Sequence, residues 1–360
     1  MTILKVDSQT FKVDAMLKRL FTCLLLGALP AAGISQTEGQ VTPEPAGSRD
    51  TDWVMPRTEY GHPDFQGTWF FGSRTPFQRP ASLGAQQTYT EQEVVALEAR
   101  MRERLARQDT PLDPDRDAPE QGAVIRQEAD DTFLAHYTEP KLISVNGEYR
   151  TSVITDPADG RMPLREGFMD YNQKLRASGL GDTDGPEGQP LSGRCLMFGP
   201  AVPSLTPAMM NPNLLIVQNK DYVMIMTEMI HDARIIRLGD AHFEHNNPSW
   251  MGDSVGYWEG DTLVVQSKNF RPEQSSGRAI KISQDFELIE RYTLVGEGEI
   301  HYAFTAVDPQ AYSQPVSGER MLTRNPPTEK IYEFACHEGN YSLPAILRGA
   351  RRQEVESEAQ

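Results

Sequence analysis

The feature that most constrains this fold is a series of short strand-like segments with very little chain between them. The runs 213–218, 222–229, 233–238, 254–258, 262–268, 285–295, 299–307 and 331–335 are rich in Val, Ile, Leu, Tyr and Thr and are bounded by turn residues. Asn219-Lys220-Asp221, Glu259-Gly260 and Gly296-Glu297-Gly298 are short enough to join neighbours as hairpins. This pattern predicts an antiparallel meander, most simply a closed up-and-down β-barrel. A first strand is expected at Phe65–Phe70, where Gly67-Thr68-Trp69 supplies a Trp to plug the closed end. Asn146-Gly147, flanked by Leu142–Val145 and Tyr149–Ile154, predicts a further hairpin. The fold class expected is all-β with helical additions, in one barrel domain over 65–345 and a tail over 346–360.

One helix stands out, at about 90–108. Thr90 and Glu93 form a capping box, with Tyr89 and Val94 placed as a hydrophobic staple. Val94, Leu97, Met101 and Leu105 recur at helical spacing, so this helix is expected to pack on the barrel. A short second helix is expected near 165–177. Residues 109–130 are charged and read as irregular.

Residues 1–35 read as a secretory leader. Met16 is a candidate true start, followed by Lys18 and Arg19, an apolar core Leu20–Leu29, and small residues up to Ser35, with cleavage expected after Gly33 or Ser35. The core is about 10 residues, too short to span a bilayer. Residues 36–64, rich in Pro, Gly, Glu and Thr, read as a linker. Export to the periplasm or medium leaves Cys195 and Cys336 as the only cysteines, which predicts a disulfide between them. The formal charge of −16 disfavours nucleic acid and anionic membrane surfaces as partners.

Several longer motifs run through this region: Pro63–Trp69, Arg150–Pro163, Gly193-Arg194-Cys195, Ile230–Ile236 (IHDARII), Trp250–Phe270 and Ile331–Leu347 (with YEFACHEGNY). On these the chain resembles a widespread family of exported bacterial proteins. The resemblance implies a lipocalin-like barrel with a long N-terminal extension, and it implies no activity.

The chemistry must then come from ionisable residues threaded through apolar strand sequence, where they are costly unless paired or used. His231, Asp232, Arg234, Asp253 and His337 are the candidate catalytic set, each at a strand border. Asp232 and Arg234 share a strand face, suited to an anionic or carbonyl group, and a histidine supplies a base near neutral pH. Trp250, Trp258, Glu338, Tyr341 and Arg194 are candidate ligand-binding residues. Each has a plain structural alternative, a turn-forming Asp253 or an ion pair at Arg234 among them. His242, His245 and Glu244 add metal-ligating side chains, but without a metalloenzyme spacing, so no cofactor is expected, a divalent metal such as zinc or calcium being the alternative. No G-x-S-x-G elbow is present. Two functions remain open on the sequence. One is cofactor-free acid–base chemistry of the isomerase, lyase or hydrolase type on a small, mostly apolar molecule. The other is non-catalytic carriage of such a molecule in the cell envelope.

Overall fold

In the computed structural model, residues 53–108, 141–197, 211–244, 247–275 and 280–359 are described. The leader, residues 36–52 of the linker, the 109–130 stretch and His245 lie outside them. In chain order the elements are β1 (Gly67–Phe70), β2 (Thr88–Tyr89), α1 (Glu91–Gln108), β3 (Tyr149–Arg150), β4 (Ile154–Asp156) and α2 (Tyr171–Ala177). Then come β5 (Asn213–Gln218), β6 (Tyr222–Thr227), β7 (Ala233–Leu238), β8 (Asp253–Glu259), β9 (Thr262–Lys268), β10 (Glu287–Gly296), β11 (Glu299–Val307), β12 (Val316–Arg324) and α3 (Ser342–Glu358).

Strands pair in the order β1-β5-β6-β7-β8-β9-β10-β11-β12, and β12 pairs back onto β1, so the sheet is closed. The fold is therefore all-β with helical additions, built on a nine-stranded barrel. Every pair is antiparallel except β7 with β8. A closed sheet with an odd number of strands cannot alternate all the way round, and the parallel pair resolves this. The 239–252 connection that returns the chain for β8 has the length a parallel crossover needs. Gly256 makes the close approach possible, because a Cβ there would lie 2.7 Å from the Ile236 Cγ2.

Alternation sorts the wall into two faces. Ile225, Ile236, Val265, Leu288, Ile300 and Leu322 point inward and are all but fully buried. Trp69 of β1 is fully buried in the core. Its indole Nε1 donates to the Phe65 carbonyl at 2.7 Å, and the Arg324 guanidinium lies 4.2 Å over its ring. α1 carries its expected capping box: the Thr90 amide donates to Glu93 at 2.8 Å, and the Glu93 amide to the Thr90 hydroxyl at 3.3 Å.

Some expectations need correction. Residues 331–335 are not a strand; the last wall strand is β12, at 316–324. Once β12 closes onto β1, the wall leaves no open edge for a further strand over 331–335. Asn146 and Gly147 do form the expected turn, with φ of 53° and 82°. The flanks then part company, β3 pairing with β2 and β4 with β12, so no long hairpin forms. The presumed tail over 346–360 lies largely within α3. Cys195 and Cys336 are disulfide-bonded, Cα–Cα 5.7 Å, joining the segment after α2 to the one before α3. No helix among the described residues is long and apolar enough to cross a membrane.

Candidate functional site

Arg234 is the candidate residue that the fold places inside the barrel. It sits on the inward face of β7, 2% exposed, against Glu290 of β10, 0% exposed. Its Nη1 donates to Glu290 Oε2, and its Nη2 to Oε1 at 3.2 Å and to the Tyr292 hydroxyl at 3.2 Å. The Tyr292 and Tyr302 hydroxyls donate to Oε1 at 2.8 and 3.0 Å. Burial works against the guanidinium charge, but Glu290, with Tyr292 and Tyr302, outweighs it and holds the Arg234 pKa above its ordinary value. Arg320 of β12 pairs directly across from Tyr302, is 3% exposed, and has its guanidinium 5.7 Å from the Phe71 ring. Burial draws its pKa down to about 10, with Tyr302 and Tyr292 opposing. The barrel thus holds a polar cluster of two arginines, one glutamate and two tyrosines within apolar walls.

Asp253 projects the opposite way, onto the outer face beside β7. Its carboxylate accepts from Arg237 Nη1 at 2.8 Å and the Phe243 amide at 2.8 Å, and lies 3.0 Å from His242 Nδ1. Burial alone would raise its pKa; the Phe243 amide, Arg237 and His242 outweigh that and hold it below the usual carboxylate range. A carboxyl depressed in the folded state stabilises above its unfolded pKa, and that stability is lost as pH falls through the folded value. Asp253→Asn should therefore cost about 2 kcal/mol at neutral pH. The deficit should shrink as the pH drops below about 4, the ordinary carboxylate value. Urea unfolding across pH checks this, and a pH-independent deficit would contradict it.

The remaining candidates do not join Arg234. His231 and Asp232 form the β6–β7 turn, where Ile230 and His231 both take positive φ, 64° and 48°. His231 is exposed, with no side-chain hydrogen bond among the described residues. Asp232 is half-buried; desolvation raises its pKa and His231 partly offsets this. His337 and Glu338 are exposed, and Tyr341 is 79% exposed at the start of α3. The disulfide brings this segment to that of Arg194, where the Asn340 side chain donates to the Gly193 carbonyl at 3.1 Å. Trp250 lies under the Arg271 guanidinium at 4.6 Å. Trp258 stacks on His62 at 4.6 Å. The expected convergence of Arg234, Asp253 and His337 is thus replaced by an inner cluster, an outer Asp253–His242–Arg237 cluster and an exposed C-terminal segment. Among the described residues no group of three or more His, Cys, Asp or Glu is placed to hold a metal ion.

Sequence reasoning missed Glu290, Tyr292, Tyr302 and Arg320. The signal was present in the parity of β10: Leu288, Glu290, Tyr292 and Leu294 share one face, so a reading at period two puts the glutamate with the core.

The chain matches no known family and no curated protein. Among solved structures it is similar to a point mutant of the fluorescent protein UnaG, at 18% identity and a TM-score of 0.21, over 32% of this chain and 71% of that one. A likeness at this level bears on neither ligand nor activity, which rest on this chain's own residues.

Proposed function

We propose that this is an exported small-molecule-binding protein whose barrel interior receives a mostly apolar ligand. The observation that carries the reading is the Arg234–Glu290–Tyr292–Tyr302–Arg320 cluster inside an otherwise apolar barrel. Apolar side chains of similar volume would often be as stable or more so, so buried charge at the centre of a barrel is better explained by recognition than by packing. A few polar groups converging within apolar walls is the usual composition of a small-molecule site. Acid–base turnover is the less supported class. The bases expected for it were His231 and His337, and both are exposed. Export is supported by the leader-like sequence at 16–35 and by the disulfide, which persists in oxidising compartments.

Methyl-resolved NMR tests the reading. Titration with 1-decanol and with decanoate should shift the inward methyls of Ile225, Ile236, Val265 and Leu288. Shifts confined to the outward-facing Val217 and Ile235, or no shifts with either compound, would sink it.

A further inference from the structure

Away from the barrel interior, the wall carries an uncharged outer face. On β5, β6 and β7 the outward positions pair directly across the strands in two rows, Leu215–Met226–Ala233 and Val217–Met224–Ile235. Tyr222 extends this face where β6 begins, next to the 219–221 turn. None of these side chains is ionisable, and Val217, Ile235 and Tyr222 are 43%, 49% and 46% exposed. Elsewhere outward positions of the wall carry charge, as at Lys268 on β9, Arg291 on β10, His301 on β11 and Glu319 on β12. A strand with one wet face places polar residues on it. Three neighbouring strands that are apolar on the outside call for a partner there.

The turns at the two ends of β6 identify that partner. Asn219-Lys220-Asp221 precedes the strand and Glu228–Asp232 follows it. Lys220 and Asp221 are exposed at one end; His231 is exposed and Asp232 half-buried at the other. Desolvation raises the Asp232 pKa and His231 only partly offsets this, so a further cation beside Asp232 is favourable. A two-fold axis lying across β6 at its midpoint sets two copies of the chain face to face with their strands reversed. It lays the apolar rows of one copy on those of the other. It also brings Lys220 to the partner's Asp232, and Asp221 to the partner's His231, twice over by symmetry. A chain of charge −16 repels its own copy at long range, and these contacts supply the opposite-charge pairing that association then needs.

We propose that the outer face of β5–β7 is a homodimer interface, in which two copies pack antiparallel about β6 and Lys220 pairs with the partner's Asp232. The face is small. Three strands about 4.8 Å apart and six residues long cover on the order of 300 Å², under the roughly 800 Å² per partner of a standard interface. The dimer is therefore weak and reversible, in the micromolar range.

Sedimentation velocity of the intact, disulfide-bonded protein, from low micromolar to several hundred micromolar, tests the proposal. The expected result is a shift from monomer to dimer with concentration. Ile235→Glu should weaken the dimer at least about tenfold, by setting an unpaired charge in the apolar rows. Lys220→Asp and Asp232→Lys should each weaken it about tenfold by placing like charges opposite, and the double variant should restore it. Asp232→Lys makes the chain less acidic, so its weakening separates the local contact from net charge. Circular dichroism checks that each variant is folded. Zero-length carbodiimide cross-linking needs no variant: it joins the Lys220 amine to a carboxylate with loss of water. β6 holds the two turns roughly 20 Å apart, so a Lys220–Asp232 amide found by mass spectrometry is a link between copies. A monomer at every concentration, the face then being covered by something other than a second copy, overturns the proposal. So does a dimer indifferent to Ile235→Glu, a double charge variant no better than the single ones, or a cross-linked dimer without the Lys220–Asp232 amide.

Discussion

Glu290→Ala is expected to destabilise the protein by about 3–5 kcal/mol, the range for breaking a buried ion pair by removing one partner. The side chain is 0% exposed, and its loss strands three donor groups at once: the guanidinium of Arg234 and the hydroxyls of Tyr292 and Tyr302. Glu290→Gln keeps an acceptor for the tyrosines and should cost less. Replacing the pair together, Arg234→Met with Glu290→Leu, should recover much of the loss, because well-packed apolar residues can match or exceed a buried ion pair. Equilibrium unfolding in urea measures all three. A deficit below about 1 kcal/mol for Glu290→Ala would mean that the network is not formed as described.

Loss of the disulfide is the second large effect. The bond closes a loop with a sequence separation of 141, and that loop contains every wall strand except β1. In the chain-entropy model such a loop contributes about 5 kcal/mol, and removal of native bridges from secreted proteins typically costs about 2–5 kcal/mol. Cys195→Ser with Cys336→Ser should lower the urea midpoint accordingly, and reductant should do the same to the wild type and nothing to the double variant. The C-terminal segment should loosen first, since among the described contacts α3 is tied to the rest mainly by Arg351 to the Thr183 and Asp184 carbonyls. An unchanged midpoint on reduction would contradict this account.

The wall from β5 to β11 was legible in the sequence because its strands alternate cleanly and its turns are short. β12 was not. Val316–Arg324 carries Gly318, Glu319, Arg320 and Arg324 among its nine residues, which reads as a polar loop. Only barrel closure shows that Gly318 and Arg320 face inward, Gly318 where Phe304 leaves no room for a side chain and Arg320 opposite Tyr302. Residues 331–335 show the reverse error. Their Ile-Tyr-Glu-Phe pattern has strand character, but strand propensity has no effect without an edge to pair with. Arg234 was singled out correctly as an ionisable group inside strand sequence, yet its partner was sought next to it in the chain, at Asp232. The partner lies three wall positions away, on β10, a distance no local pattern encodes. Asp253 was likewise read as a possible catalytic group. The structure gives it three partners on the outer face, two of which, His242 and the Phe243 amide, belong to the parallel crossover that hairpin reasoning did not anticipate.

The most direct test of the central claim, that the inner cluster anchors a ligand, is a crystal structure of the protein with decanoate. The account predicts one decanoate inside the barrel, its chain against the inward side chains of Ile225, Ile236, Val265 and Leu288, with Glu290 still held by Arg234, Tyr292 and Tyr302. Decanoate bound only on the outer face of the wall would contradict it.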